Sequence, residues 1–122
     1  MKQIIYYELF KKDILKTIYN EKKLKRMDIL TLFYLSEIDE EEVYVRKLRD
    51  IMFDPPSSEI TNSLKTLEHF VLLKKARDPF DERALILKDI QLSKIDEILD
   101  YCEKIVQHHI DSIDLVQKKK LI

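Results

Sequence analysis

Apolar residues recur every three or four positions over most of this chain, and that spacing predicts helices in five places. From about Gln3 to Asn20 the stripe is Ile4, Tyr7, Phe10, Ile14 and Ile18, with Lys11, Lys12 and Lys16 on other faces. A second helix is expected from about Asp28 to Glu37, around the nearly unbroken apolar run Ile29 to Leu35, with Asp28 placed to cap it. A third, short helix opens at Arg46 with Leu48, Ile51 and Met52 inward. It must stop near Phe53, because Pro55 and Pro56 have no amide hydrogen to donate and push the residues before them out of the helical region. The fourth is capped by Ser57 or Ser58 and sets Ile60, Leu64 and Leu67 on one stripe and Ser58, Thr61, Asn62 and Lys65 on the opposite face. The fifth runs from Ser93 to about Lys119, with Ser93 and Asp96 as a capping start. Its stripe comprises Ile95, Ile98, Leu99, Cys102, Ile105, Val106, Ile110, Ile113 and Val116.

Two stretches depart from helical spacing. Val43-Tyr44-Val45 has β-favouring content and suits an edge strand. Val71 to Arg77 and Arg83 to Leu87 are two further strand candidates joined by Asp78-Pro79-Phe80-Asp81-Glu82 as a turn. If that hairpin pairs symmetrically about Phe80, Arg77 and Arg83 stand opposite each other on one face of the ribbon. The segment Val45 to Glu68 therefore reads as helix, tight break, helix, with prolines where glycine is often found, and a hairpin follows it. The expected fold is mainly α with a small β-hairpin wing: a winged helix-turn-helix. It occupies one domain over residues 1–122, which is too short a chain for two comfortable ones.

A last helix of about 25 residues would be nearly 40 Å long, more than a domain of this size covers alone. Its stripe, with the apolar face of the first helix, predicts a homodimer held by the terminal helices.

Composition narrows the chemistry. The chain has no glycine, which argues against glycine-cradled phosphate loops and dinucleotide-binding folds, and hence against whole enzyme classes. The formal net charge is -1, so any affinity for nucleic acid must come from a local patch. Lys22, Lys23, Lys25 and Arg26 form a basic connector that reads better as a solvated loop than as a phosphate contact, while Glu37, Asp39, Glu40, Glu41 and Glu42 form an acidic loop that repels phosphate. A lone cysteine, Cys102, permits no intrachain disulfide and fits a reducing compartment; with no secretory leader and no long apolar run, a cytoplasmic protein is expected. His108 and His109 are helix neighbours that point apart, so neither a metal nor a cofactor is expected.

The run Arg77-Asp78-Pro79-Phe80-Asp81-Glu82-Arg83 is an arginine, three variable residues and Asp-Glu-Arg, preceded by Leu64-Lys65-Thr66-Leu67 and followed by aliphatics. It resembles the wing of the staphylococcal accessory regulator (SarA-like) branch of the MarR superfamily, and the order of elements from about Asp28 onward is similar to that family too. The resemblance implies a small dimeric transcription regulator on A·T-rich promoter DNA, with a recognition helix in the major groove and the wing at the minor groove. It makes Arg77 and Arg83 the DNA-contacting arginines, with Asp81 and Glu82 supporting them. Ser58, Thr61, Asn62, Lys65 and Lys75 complete the expected DNA-binding set. Some relatives carry a cysteine near the N-terminus that this chain lacks. A protein-interaction module on the same scaffold, without DNA binding, is the alternative.

Overall fold

A computed structural model of the chain describes residues 2–121, with side-chain surroundings for residues 4, 5 and 8–112. In chain order the elements are α1 (Lys2–Lys22), α2 (Arg26–Ile38), β1 (Val43–Tyr44), α3 (Val45–Ile51), α4 (Ser57–His69), β2 (Lys74–Arg77), β3 (Leu85–Lys88) and α5 (Leu92–Leu121). They form two compact units, residues 26–99 and residues 1–25 with 100–122.

The 26–99 unit is a helix-turn-helix backed by α2 and flanked by a three-stranded antiparallel sheet in the order β1-β3-β2. Its core draws one or more side chains from every element except β2: Leu32 and Leu35 from α2, Val43 from β1, Leu48 from α3, Ile60, Leu64 and Leu67 from α4, Leu87 from β3 and Ile95 from α5, all at most 3% exposed. The α4 stripe is the one its spacing predicts, with Ser63 as an additional buried member. Ser63 donates to Asp28 at 2.8 Å and approaches the Thr31 hydroxyl at 3.3 Å, so a buried polar link ties α4 to α2. Asp28 is therefore not the cap of α2, which begins two residues earlier; its carboxylate serves the interhelical link. Capping elsewhere also differs from expectation. Pro56 is the N-cap of α4 and makes no side-chain cap bond, so Ser57 and Ser58 lie inside the first turn. Asp96 accepts the Ser36 hydroxyl at 2.7 Å, which ties α5 to α2.

With no glycine to take left-handed backbone, other residues take it: Lys23, Asp39, Phe53, Asp54, Val71 and Asp89 all have positive φ. Two of them make the break between α3 and α4. The Asp54 amide bonds back to the Arg49 carbonyl at 2.8 Å, and Arg49 Nη2 donates to the Asp54 carboxylate at 2.9 Å. The prolines expected to form this break instead follow it, Pro56 with φ -53° and ψ 137°, so the reversal itself falls to Phe53 and Asp54.

At the end of α4 the Val71 and Leu72 amides bond to the Glu68 and Leu67 carbonyls at 2.9 and 3.0 Å, a Schellman closure with Val71 at φ 58°. A β-branched residue is strained there, at a cost of about 1 to 2 kcal/mol. Glycine removes that strain but loses more entropy on folding, about 0.5 to 1 kcal/mol. Val71 is 64% exposed, so little packing is lost with it. Val71→Gly should accordingly raise stability by about 0.5 to 1 kcal/mol, read as a thermal midpoint higher by a few degrees. A lower midpoint would show that the closure is not strained.

In the second unit, Ile14, Ile18, Leu24 and Cys102 are buried, whereas Ile4 and Leu9 of α1 are two-thirds exposed. Lys22 Nζ sits 4.3 Å from the centre of the Tyr101 ring, a cation–π contact, and burial raises the Cys102 thiol pKa. Tyr7, Ile113 and Val116 of the expected stripes lie outside the described side chains. No helix among the described residues is long and apolar enough to cross a membrane.

Candidate nucleic-acid interface

Two exposed surfaces of the 26–99 unit carry the candidate residues. The first is the outer face of α4, where Ser58, Thr61, Asn62 and Lys65 are all exposed. Thirteen residues of regular helix, fixed by four buried side chains on the other side, hold that face rigid. A rigid helix face with hydroxyl, amide and ammonium groups can hydrogen-bond base edges and phosphates without ordering itself first.

The second surface is the wing, and its register differs from the one expected. Arg77 pairs with Leu85, Ala76 with Ile86, Lys75 with Leu87 and Lys74 with Lys88. The hairpin is therefore centred on Asp81 rather than Phe80, and Arg83 lies in the turn, not in a strand facing Arg77. Local hydrogen bonds explain the shift. The Ala84 amide bonds to the Asp81 carbonyl at 2.9 Å, the Asp78 amide to the Ala84 carbonyl at 2.9 Å, and the Arg83 amide to the Asp81 carboxylate at 3.1 Å. Aspartate side chains capture their own backbone in this way two residues on; here the Asp81 carboxylate takes the Arg83 amide and the Asp81 carbonyl takes the Ala84 amide, which keeps both residues in the loop.

Asp81 and Glu82 support the arginines through the main chain. Asp81 holds the Arg83 backbone, not its guanidinium. Arg77 Nη1 donates to the Glu82 backbone carbonyl at 2.7 Å, so Glu82 orients Arg77 through its main chain. The exposed Arg83 guanidinium makes no hydrogen bond or ion pair among the described residues, and it borders an open groove with Arg46, Arg49 and Tyr44. Lys75 is placed differently from the rest. It is half-buried, lies opposite buried Leu87, and its amide is held by the Glu68 carboxylate at 3.0 Å.

Sequence reasoning did not single out Tyr44, whose hydroxyl donates to Asp78 Oδ2 at 2.6 Å and ties the edge strand β1 to the base of the wing. Thirty-four residues separate the two, so no local spacing signals the pair. That bond is the leading cause that lowers the Asp78 pKa below its ordinary 3.8, ahead of the Phe80 amide, which donates to Oδ1 at 2.8 Å. It also raises the Tyr44 pKa above 10.0. A lowered carboxylate pKa means that the tie contributes fully above pH 3.8 and fades only as pH falls through the lower folded value, so the wing is latched at neutral pH.

The acidic loop and basic connector are shorter than their sequence runs suggest. Glu37 belongs to α2, and Glu40 pairs with Lys47 at 3.2 Å. Lys22 ends α1 and Arg26 begins α2, which leaves three residues between the helices.

The sequence profile of the SarA/Rot transcriptional regulators matches residues 13–98, which takes in the helix-turn-helix, the wing and the second half of α1 from Asp13 onward. The chain belongs to the SarA/Rot family of transcriptional regulators. That family consists of regulators, not enzymes. Among solved structures, the fold is similar to MarR (TM-score 0.68, 18% identity, covering 92% of this chain and 79% of that one). It is also similar to AbsC, a MarR family transcriptional regulator from Streptomyces coelicolor (TM-score 0.66, 17% identity, 98% and 84% covered). A mutant of MarR from E. coli complexed with operator DNA matches at TM-score 0.60 and 13% identity, covering 99% of this chain and 92% of that one. The curated proteins searched give no match. The winged-helix fold expected from the hydrophobic pattern is the fold observed.

Proposed function

We propose that this SarA/Rot family member is a DNA-binding transcription regulator that acts as a homodimer on A·T-rich promoter DNA. In this reading α4 lies in the major groove and the wing enters the minor groove. The observation that carries it is the pairing of two presented surfaces in one unit: the polar outer face of α4, fixed from behind by Ile60, Ser63, Leu64 and Leu67, and a latched wing with an unengaged arginine. MarR from E. coli has been seen with operator DNA, which supports the same use of the fold here. A narrow A·T-rich minor groove concentrates negative potential and draws in arginine side chains.

Asn62 and Thr61 can discriminate bases by hydrogen bonding in the major groove, while Arg77 and Arg83 add affinity with little base discrimination. The terminal helices outside the 26–99 unit carry the dimer contact, through Ile4 and Leu9 of α1 and the Ile105, Val106 and Ile110 stripe of α5.

Fluorescence anisotropy with labelled A·T-rich and mixed-sequence duplexes tests the reading. We expect the A·T-rich duplex to bind at least tenfold more tightly at the same salt. Absence of binding to either duplex at 50 mM salt would favour a protein-interaction module on the same scaffold.

A further inference from the structure

The most exposed large apolar side chain described is at the tip of the wing, where Phe80 is 99% accessible. Its backbone is held from several directions. The Phe80 amide donates to Asp78 Oδ1, whose other oxygen accepts the Tyr44 hydroxyl, and the Asp78 amide closes the loop onto the Ala84 carbonyl. Pro79 fixes its own φ directly before the ring. A phenylalanine that only filled a loop would fold back onto apolar surface, whereas this one is presented outward on a braced turn and forgoes all of its burial.

The charge at the tip sharpens the point. Residues 77–83 hold two arginines and the three carboxylates of Asp78, Asp81 and Glu82, a formal sum of -1. The carboxylates therefore offset part of the attraction that the arginines have for phosphate, and a contact indifferent to charge would add to what the arginines supply. An apolar side chain that wedges between base pairs from the minor groove makes such a contact, and it is least costly at the flexible pyrimidine–purine steps common in A·T-rich DNA.

We propose that Phe80 is an apolar wedge that inserts part-way between two base pairs from the minor groove, unstacks that step and kinks the duplex. Sequence preference then arises partly from how readily a step opens, at a position where no base edge is hydrogen-bonded. The inference rests on the reading that the wing enters the minor groove.

The test uses the full chain and an A·T-rich duplex with 2-aminopurine placed in turn at each TA step, since this base brightens when it loses its stacking neighbour. Wild type is expected to raise the fluorescence severalfold at one step per half-site. Phe80→Ala should abolish the rise while still binding the duplex, with affinity lowered about tenfold, and Phe80→Leu should restore most of the rise. Because the ring is exposed, both variants should melt at the wild-type temperature, which separates loss of the wedge from loss of fold. If wild type binds tightly with no rise at any step, or Phe80→Ala keeps the full rise, the wedge is refuted while DNA binding stands. If wild type binds no duplex, the wedge falls together with the DNA-binding reading.

Discussion

Replacing Ile105 and Ile110 together by lysine is expected to convert the protein from dimer to monomer and to lower its affinity for operator-length DNA by about a hundredfold or more. Both side chains are half-buried in the single chain and lie on one stripe of the thirty-residue α5, about 45 Å long at 1.5 Å per residue. Burying an unpaired ammonium in an apolar interface costs more than most interfaces tolerate, so the charged pair disfavours association while leaving the monomer's surface hydrated. In the proposed dimer two α4 helices and two wings would engage one duplex, and the second engagement would be intramolecular, which is the source of the large expected loss. Neither residue belongs to the 26–99 unit, so that unit's near-ultraviolet signal should survive. Light scattering at micromolar concentration reads the association. A wild-type monomer, or a lysine variant that remains dimeric, would contradict the assignment of this interface.

The second large effect concerns the wing. Arg77→Ala with Arg83→Ala removes four guanidinium groups from a dimer, and each neutralised phosphate contributes about -0.9 to the slope of log affinity against log salt. The slope should become shallower by up to about 3.6, and binding to A·T-rich and random duplex should weaken alike, because arginines in the minor groove read little sequence. Asn62→Ala should act in the opposite sense. The asparagine amide can discriminate a base by about 1 to 3 kcal/mol in the major groove, so its loss narrows the gap between specific and random DNA and leaves the salt slope nearly unchanged. The structure makes the two arginines unequal. Arg77 is already engaged with the Glu82 carbonyl, whereas Arg83 makes no such bond among the described residues, so Arg83 is ready to meet a phosphate without first breaking a protein contact.

How far these surfaces could be read in the sequence follows from the range of the forces that shape them. The α4 stripe was legible because helical periodicity is local, and Ile60, Leu64 and Leu67 are buried as their spacing demands. The edge strand at Val43-Tyr44 was legible from composition, although Val45 goes to α3. Ser63 was not, since a serine looks like a surface residue until Asp28, thirty-five residues away, supplies its acceptor. The wing arginines were visible as residue types, but the register between them was not. It depends on the Asp81 carboxylate taking the Arg83 amide, a side-chain competitor for the strand ladder that alternation patterns ignore. Turns were the least legible feature, because the usual glycine signal is absent and residues such as Phe53 and Val71 take left-handed backbone in its place.

In the proposed complex a rigid polar helix face and a latched arginine wing bind DNA in separate roles. Anisotropy titrations of wild type, Arg83→Ala and Asn62→Ala on A·T-rich and random duplex across a salt series separate those roles. Arg83→Ala should give a shallower salt slope with parallel loss on both duplexes, and Asn62→Ala a narrowed specific-to-random ratio at unchanged slope. Unchanged affinity and slope in Arg83→Ala would contradict this division of roles, and the wing would not be a DNA contact.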